Sequence, residues 1–237
     1  MIKRILLAAF AAGALAGVFA HGAQLVEVMP IMHAAEGYEG LADERGHGHG
    51  HGHEAHGEEG HGHDHSGWMP ADGFERQVFT LMANVLTGVA FGLILVAGFA
   101  FSGRHVDWQR GALWGLGGFA VFVLAPAIGV PPAAPGMEVG SVSERQLWWV
   151  GTVVATGGGL SLLVFAGSKL LKTLGAMLIA APHLVGAPIP AEFHAGPLPA
   201  ELAAQFAVAS LVTALAFWAV LGGLAGHFFD RWVQQRT

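Results

Sequence analysis

The chain contains no cysteine among its 237 residues, so a disulfide framework and any thiolate metal site are excluded. Charge is scarce as well: 12% of residues are charged, against 53% hydrophobic. The mean hydropathy is +0.52, which is not the composition of a water-soluble domain. Several chemical signatures are also missing. There is no GxxxxGK[ST] loop, so the chain does not hydrolyse ATP by that route. There is no HExxH helix of the zinc hydrolases and no HxxxxDH motif of the nickel/cobalt permeases. No nucleophile stands beside a base, so the chain is not read as an enzyme. No permanently bound cofactor and no nucleic-acid partner are expected.

What is present is apolar runs of membrane-spanning length. A span needs roughly 20 residues, and the first run begins after Lys3 and Arg4 and continues to about Met29. Val18-Phe19-Ala20 resembles a signal cleavage site. The apolar character continues past Ala20, however, through Leu25, Val26, Val28 and Met29, which favours an uncleaved helix. Further segments are expected near 77–101, 111–130, 146–167, 170–189 and 202–228. Pro126 is expected to kink the third, and Pro182 and Pro188 interrupt the fifth. Gly13 and Gly17 of the first, and Gly157, Gly158 and Gly159 of the fourth, permit close helix contact. The reading is an all-α polytopic membrane protein of about six transmembrane helices, five if the first is a cleaved signal. Its parts are a first helix (1–30), an outer His-rich disordered loop (31–76) and a five-helix membrane bundle (77–237).

Basic residues are unevenly placed. With the N-terminus in the cytoplasm, one side holds Lys3, Arg4, Arg104, Arg110, Lys169, Lys172, Arg231 and Arg236, and the other only Arg45, Arg76 and Arg145. That positive-inside bias requires the fifth segment to cross and turns residues 31–76 outward. A multi-pass protein of the bacterial inner membrane, with this loop on the periplasmic side, is expected.

The loop carries the most chemistry. His47, His49, His51, His53, His56, His61, His63 and His65 alternate with glycines and with Glu54, Glu58, Glu59 and Asp64. This run has no helical or strand period. It offers imidazoles and carboxylates on a backbone able to wrap an ion, and it reads as a metal-capture tract. An affinity tag or a solvated, pH-responsive spacer are the plain alternatives. Open N/O ligands do not choose between cobalt, nickel and zinc, so selectivity needs a constrained site. Ionisable residues in or near the spans are the candidates. Met29, Met32, His33 and Glu36 are spaced i, i+3, i+4, i+7, with Glu27 upstream. If a helix takes Pro30 in its first turn, they share a face; a solvated helix end is the plain reading. His183 follows Pro182, where a break could free carbonyl oxygens; a structural kink with a satisfied histidine is the plain reading there. His21 is read as a packing residue, and His105, His194 and His227 are weaker candidates.

The chain resembles the CbtA family over nearly its whole length. The resemblance rests on short pieces in a fixed order: Val28-x-Pro30 with Ala35-Glu36-x-Tyr38-Glu39, Asp72-Gly73-x-Glu75-Arg76, and Trp114-Gly115-x-x-Gly118-Phe119. Then come Ala125-Pro126-x-x-Gly129 with Pro131-Pro132, and Arg145-Gln146-x-Trp148-Trp149. Pro182-His183-Leu184-x-Gly186-Ala187-Pro188 and Phe217-Trp218 complete the order. The resemblance implies a cobalt transporter subunit linked to cobalamin synthesis, with Co²⁺ as the transported ion, and Ni²⁺ or Zn²⁺ as further possibilities. It also implies a small single-span CbtB-like partner. The function expected is metal capture by the outer loop and inward passage through the bundle; the alternative is a membrane metal-binding protein that does not transport.

Overall fold

In the computed structural model, the described residues are 1–46, 70–71, 73–137, 139–188 and 197–235. All regular structure among them is helical: α1 (Ile2–Glu27), α2 (Met29–Gly46), α3 (Phe74–Ser102), α4 (Trp108–Phe119), α5 (Ala125–Gly129), α6 (Val142–Phe165), α7 (Lys169–Val185) and α8 (Ala200–Phe229). A π-helical turn, Ala120–Leu124, joins α4 to α5, and another, Asp230–Gln234, follows α8. Five stretches are long and apolar enough to cross a membrane: Ile2–Glu27, Phe74–Ser102, Trp108–Gly129, Val142–Phe165 and Ala200–Gln234.

Lipid tails are as apolar as leucine, so helices in a membrane associate by close packing rather than by escape from water. Small residues supply that packing. The seam between α1 and α3 is built on Gly13 and Gly17, where an added Cβ would overlap the backbone of Val89 and of Val85. Gly88 returns the contact by lying on the Gly13 carbonyl. The GxxxG spacing of α1 is therefore the packing surface its sequence suggests. The α4–α8 seam repeats the device, with Gly111 against Gly222 and Gly226, and Gly115 against the Trp218 carbonyl. The core of this four-helix group holds Phe99, Leu221, Val96 and Trp218, each at most 2% exposed. Outward-facing side chains stay apolar too: Leu86, Leu113 and Val154 are more than three-fifths exposed, as lipid contact allows and water would not.

α7 is shorter than each of these five stretches. Its 17 residues span about 25 Å at roughly 1.5 Å per residue. It nevertheless runs the depth of the bundle. Gly175 lies on Gly159 of α6, and His183 near its end meets Trp148 near the start of α6. α8 then begins at that same end and finishes beside α4, where the Gln234 side chain accepts from Val106 N at 3.2 Å. Among the described residues six helical passes therefore stand side by side, and the start of α1 and the end of the last π turn lie at one end.

Two local features refine a plain reading of the sequence. Residues 29–46, at the start of the polar stretch, form α2, because Pro30 sits in its first turn, where a missing N–H costs nothing. Only Val28 separates α2 from α1, and its N–H still bonds to the Gln24 carbonyl. Pro126 does disturb the third span, and the disturbance is the π turn just before it. Ala125 N–H bonds to the Ala120 carbonyl, five residues back.

Candidate functional site

The eight tract histidines, His47 to His65, lie outside the described residues; the chain enters that stretch from α2 and leaves it toward α3. The other predicted ligands can be placed. Glu27 and His33 are exposed. Glu36 is partly buried and paired: Arg76 Nη2 donates to its Oε1 at 2.8 Å. With both side chains about a third exposed, such a pair contributes little stability, about 0–1 kcal/mol. It does tie α2 to the first turn of α3, and any cation reaching Glu36 competes with a guanidinium. Met29 is buried, and Gln77 Nε2 donates to its Sδ at 3.6 Å. Among the described residues no three His, Asp or Glu side chains converge as a metal-binding group, so Glu27, His33 and Glu36 are not gathered into one site.

His183 sits in a different setting. α7 continues through Pro182 to Val185 and stops at Gly186, whose φ of 92° is a conformation glycine adopts without strain. The imidazole meets Trp148 edge-on, with ring centroids 5.9 Å apart. Both indoles of the Trp pair donate to carbonyls of the third span. Pro126 has no N–H, so the Phe122 carbonyl one turn earlier lacks its helical donor. Trp149 Nε1 donates to that carbonyl at 3.1 Å, and Trp148 Nε1 donates to the Pro126 carbonyl at 3.2 Å. Gly129 completes the junction: a Cβ there would overlap the Trp148 ring and come within 2.7 Å of Ala187 Cβ. Pro126, Gly129, Trp148, Trp149, His183 and Ala187 thus form one knot at the end of the bundle from which residues 47–69 depart.

Sequence reasoning missed a polar group between α1 and α3. Asn84 Nδ2 of α3 donates to Gln24 Oε1 of α1 at 2.7 Å. Beside this pair lies a cavity of about 260 Å³, to which α3 also contributes Thr87 and α8 contributes Ser210 and Thr213. Thr213 is 6% exposed and its Oγ1 has no hydrogen-bond partner. Neutral polar residues inside apolar runs raise no ionisable flag. The available signal was their recurrence on one helix face, as Gln77, Asn84 and Thr87 recur on α3. Away from the loop end, Phe91, Phe122 and Trp218 close together. The Phe91–Trp218 centroids are 4.7 Å apart, and Phe122 stacks on Trp218 at 5.6 Å.

Helices long and apolar enough to span, packed through glycine seams and apolar outside, define a multi-pass membrane protein. More particularly, the chain belongs to the CbtA family: the model of that family, "Probable cobalt transporter subunit (CbtA)", matches residues 2–230. No curated protein and no solved structure matches it. Membership implies the role of a cobalt transporter subunit.

Proposed function

We propose that this chain carries Co²⁺ inward across a bacterial inner membrane, with the His47–His65 tract collecting the ion outside and the bundle passing it through. The observation that carries the direction is the distribution of basic residues. Lys3, Arg4, Arg104, Arg110, Lys169, Lys172 and Arg231 belong to the end of the bundle that holds both termini, whereas Arg76 and Arg145 belong to the opposite end. By the positive-inside rule the termini are cytoplasmic and the tract is outside. Imidazole and carboxylate donors there raise the local concentration of a divalent ion outside the membrane. A dication moving inward gains about 4–5 kcal/mol per 100 mV of membrane potential; a single-span CbtB-like subunit is a further contributor. Glu27, His33, Glu36 and His183 remain the proposed ligands at the outer end of the bundle, and nickel and zinc are competing cargoes.

The rival reading is a membrane protein that binds metal without moving it. Uptake of labelled cobalt, nickel and zinc into proteoliposomes, with the single-span partner present, separates the two. Transport predicts flux that follows an imposed inside-negative potential. It predicts that deleting 47–65 lowers uptake at low cobalt and spares it at saturation. Acidification should mimic the deletion, since imidazoles lose their lone pair as pH falls through their ordinary pKa of about 6.5. Binding with no flux at either polarity would establish the rival.

A further inference from the structure

We propose that the groove between α6 and the α3–α4 pair binds one anionic phospholipid, with its phosphate on Arg104 and Arg110 and its chains along a wall of glycines. On the orientation argued above it is a lipid of the cytoplasmic leaflet; the binding itself does not depend on transport.

Packing comes first. α6 rests on the outer half of the third span, at the π turn and α5. Toward the inner end it stands off α4, and the side chains of Leu160 and Phe165 reach across to Gly117 and Trp114. The groove left between them has a volume of about 1000 Å³ and is walled by apolar side chains and by Gly117, Gly118, Gly157 and Gly158. A Cβ on Gly158 would meet nothing within 4 Å. An empty gap of that size would deprive its lining of dispersion contacts on one side. An apolar filler restores them.

Length and charge then select the filler. The lining runs from Arg110 to Phe122 on the third span and from Phe165 back to Val153 on α6, about 18 Å at roughly 1.5 Å per residue. That is close to one leaflet of a hydrocarbon core of about 30 Å. A spanning helix needs the full core, and α6 closes the outer half against the π turn and α5, so a lipid fits where a helix does not. Two exposed arginines stand at the inner mouth. The Arg104 guanidinium lies 5.1 Å from the Phe165 ring centroid, and Arg110 Nη1 donates to the His105 carbonyl at 2.6 Å. Neither forms an ion pair among the described residues. Of the nearby carboxylates, Asp107 accepts from Arg110 N at the start of α4, and Asp230 Oδ1 lies 3.1 Å from His105 Nε2. No carboxylate is among the described residues that line the groove. Two guanidiniums beside an apolar slot at a membrane surface suit a phosphodiester, whose oxygens accept from their N–H groups.

The test takes the full-length protein in mild detergent, titrates in phosphatidylglycerol or phosphatidylcholine of the same chains, and counts bound lipid by native mass spectrometry. One phosphatidylglycerol should bind in preference to phosphatidylcholine. Arg104→Gln with Arg110→Gln should weaken it roughly fivefold per arginine, about twenty-five-fold together. Lys169→Gln with Lys172→Gln, at the same end but outside the groove, should weaken it by less than about twofold. Gly158→Phe fills the slot, leaves both arginines in place, and should lose the bound lipid. Glycerol phosphate, which carries the charge without the chains, should not compete. No preference for phosphatidylglycerol, equal weakening by the lysine pair, retention by Gly158→Phe, or displacement by glycerol phosphate overturns the proposal. A dimer that Gly158→Phe abolishes also overturns it, since the groove then belongs to a second copy of the chain. Cobalt flux is not the readout, so failure here leaves the transport reading untouched.

Discussion

The Trp149 indole occupies the position that a helix normally fills from its own backbone. Because Pro126 cannot donate, the Phe122 carbonyl takes its hydrogen from α6, and the α6–α7 hairpin is thereby fastened to the rest of the bundle. Trp149→Phe should lower thermal stability by about 1 kcal/mol. In a Pro126→Ala background, where residue 126 can donate to the same carbonyl, the same change should cost measurably less. A double-mutant cycle of melting in detergent reads the difference, and simple additivity would contradict it. His183 raises a sharper question, because it is both the proposed ligand and an edge-on partner of Trp148. Cobalt uptake at saturation should fall on His183→Ala. His183→Phe keeps the aromatic edge and removes the nitrogen. If that variant transports normally, the histidine is packing and not a ligand.

At the scale of helices, glycine decides which pairs form. Gly13 and Gly88 leave no room for side chains where α1 crosses α3. Gly13→Leu should therefore cost about 1–3 kcal/mol or more and be seen as loss of folded protein on size-exclusion chromatography. Gly22, with nothing within 4 Å of its would-be Cβ, should accept Ala without that loss. The π turn at Ala120–Leu124 belongs to the same logic. It absorbs Pro126 within a continuous span and delivers Phe122 both to the Trp218 stack and to the Trp149 indole.

For the molecule as a whole, the consequential count is of passes. By length and apolarity five stretches qualify as spans, and an odd number would put the termini on opposite sides. α7 makes the number of passes even, since its final turn reaches Trp148 at the loop end. Single cysteines introduced into this cysteine-free chain can check it. Leu184→Cys, 85% exposed, and Met137→Cys should be labelled by an impermeant reagent in intact cells. Gln235→Cys should be labelled only after permeabilisation. Leu184→Cys labelled only from the cytoplasmic side would return α7 to one face of the membrane and remove the basis of the orientation.

The short motifs that carry the family resemblance turn out to be one another's neighbours. Glu36 of one pairs with Arg76 of the next, Gly115 and Gly118 receive Trp218, and Pro126 and Gly129 receive Trp148 and Ala187. Order along the chain made them recognisable; which joins which depended on helix crossings that no local pattern encodes. Composition and run length alone determined that the chain is helical and membrane-spanning, because unsatisfied backbone in lipid leaves few other choices. The imidazole tract was likewise plain from residue type. Tertiary structure alone decided that α7 traverses the bundle, that Glu36 already has a counterion, and that Asn84, Ser210 and Thr213 line one cavity. Neutral polar residues are ambiguous in a sequence and acquire meaning only when separate helices bring them together.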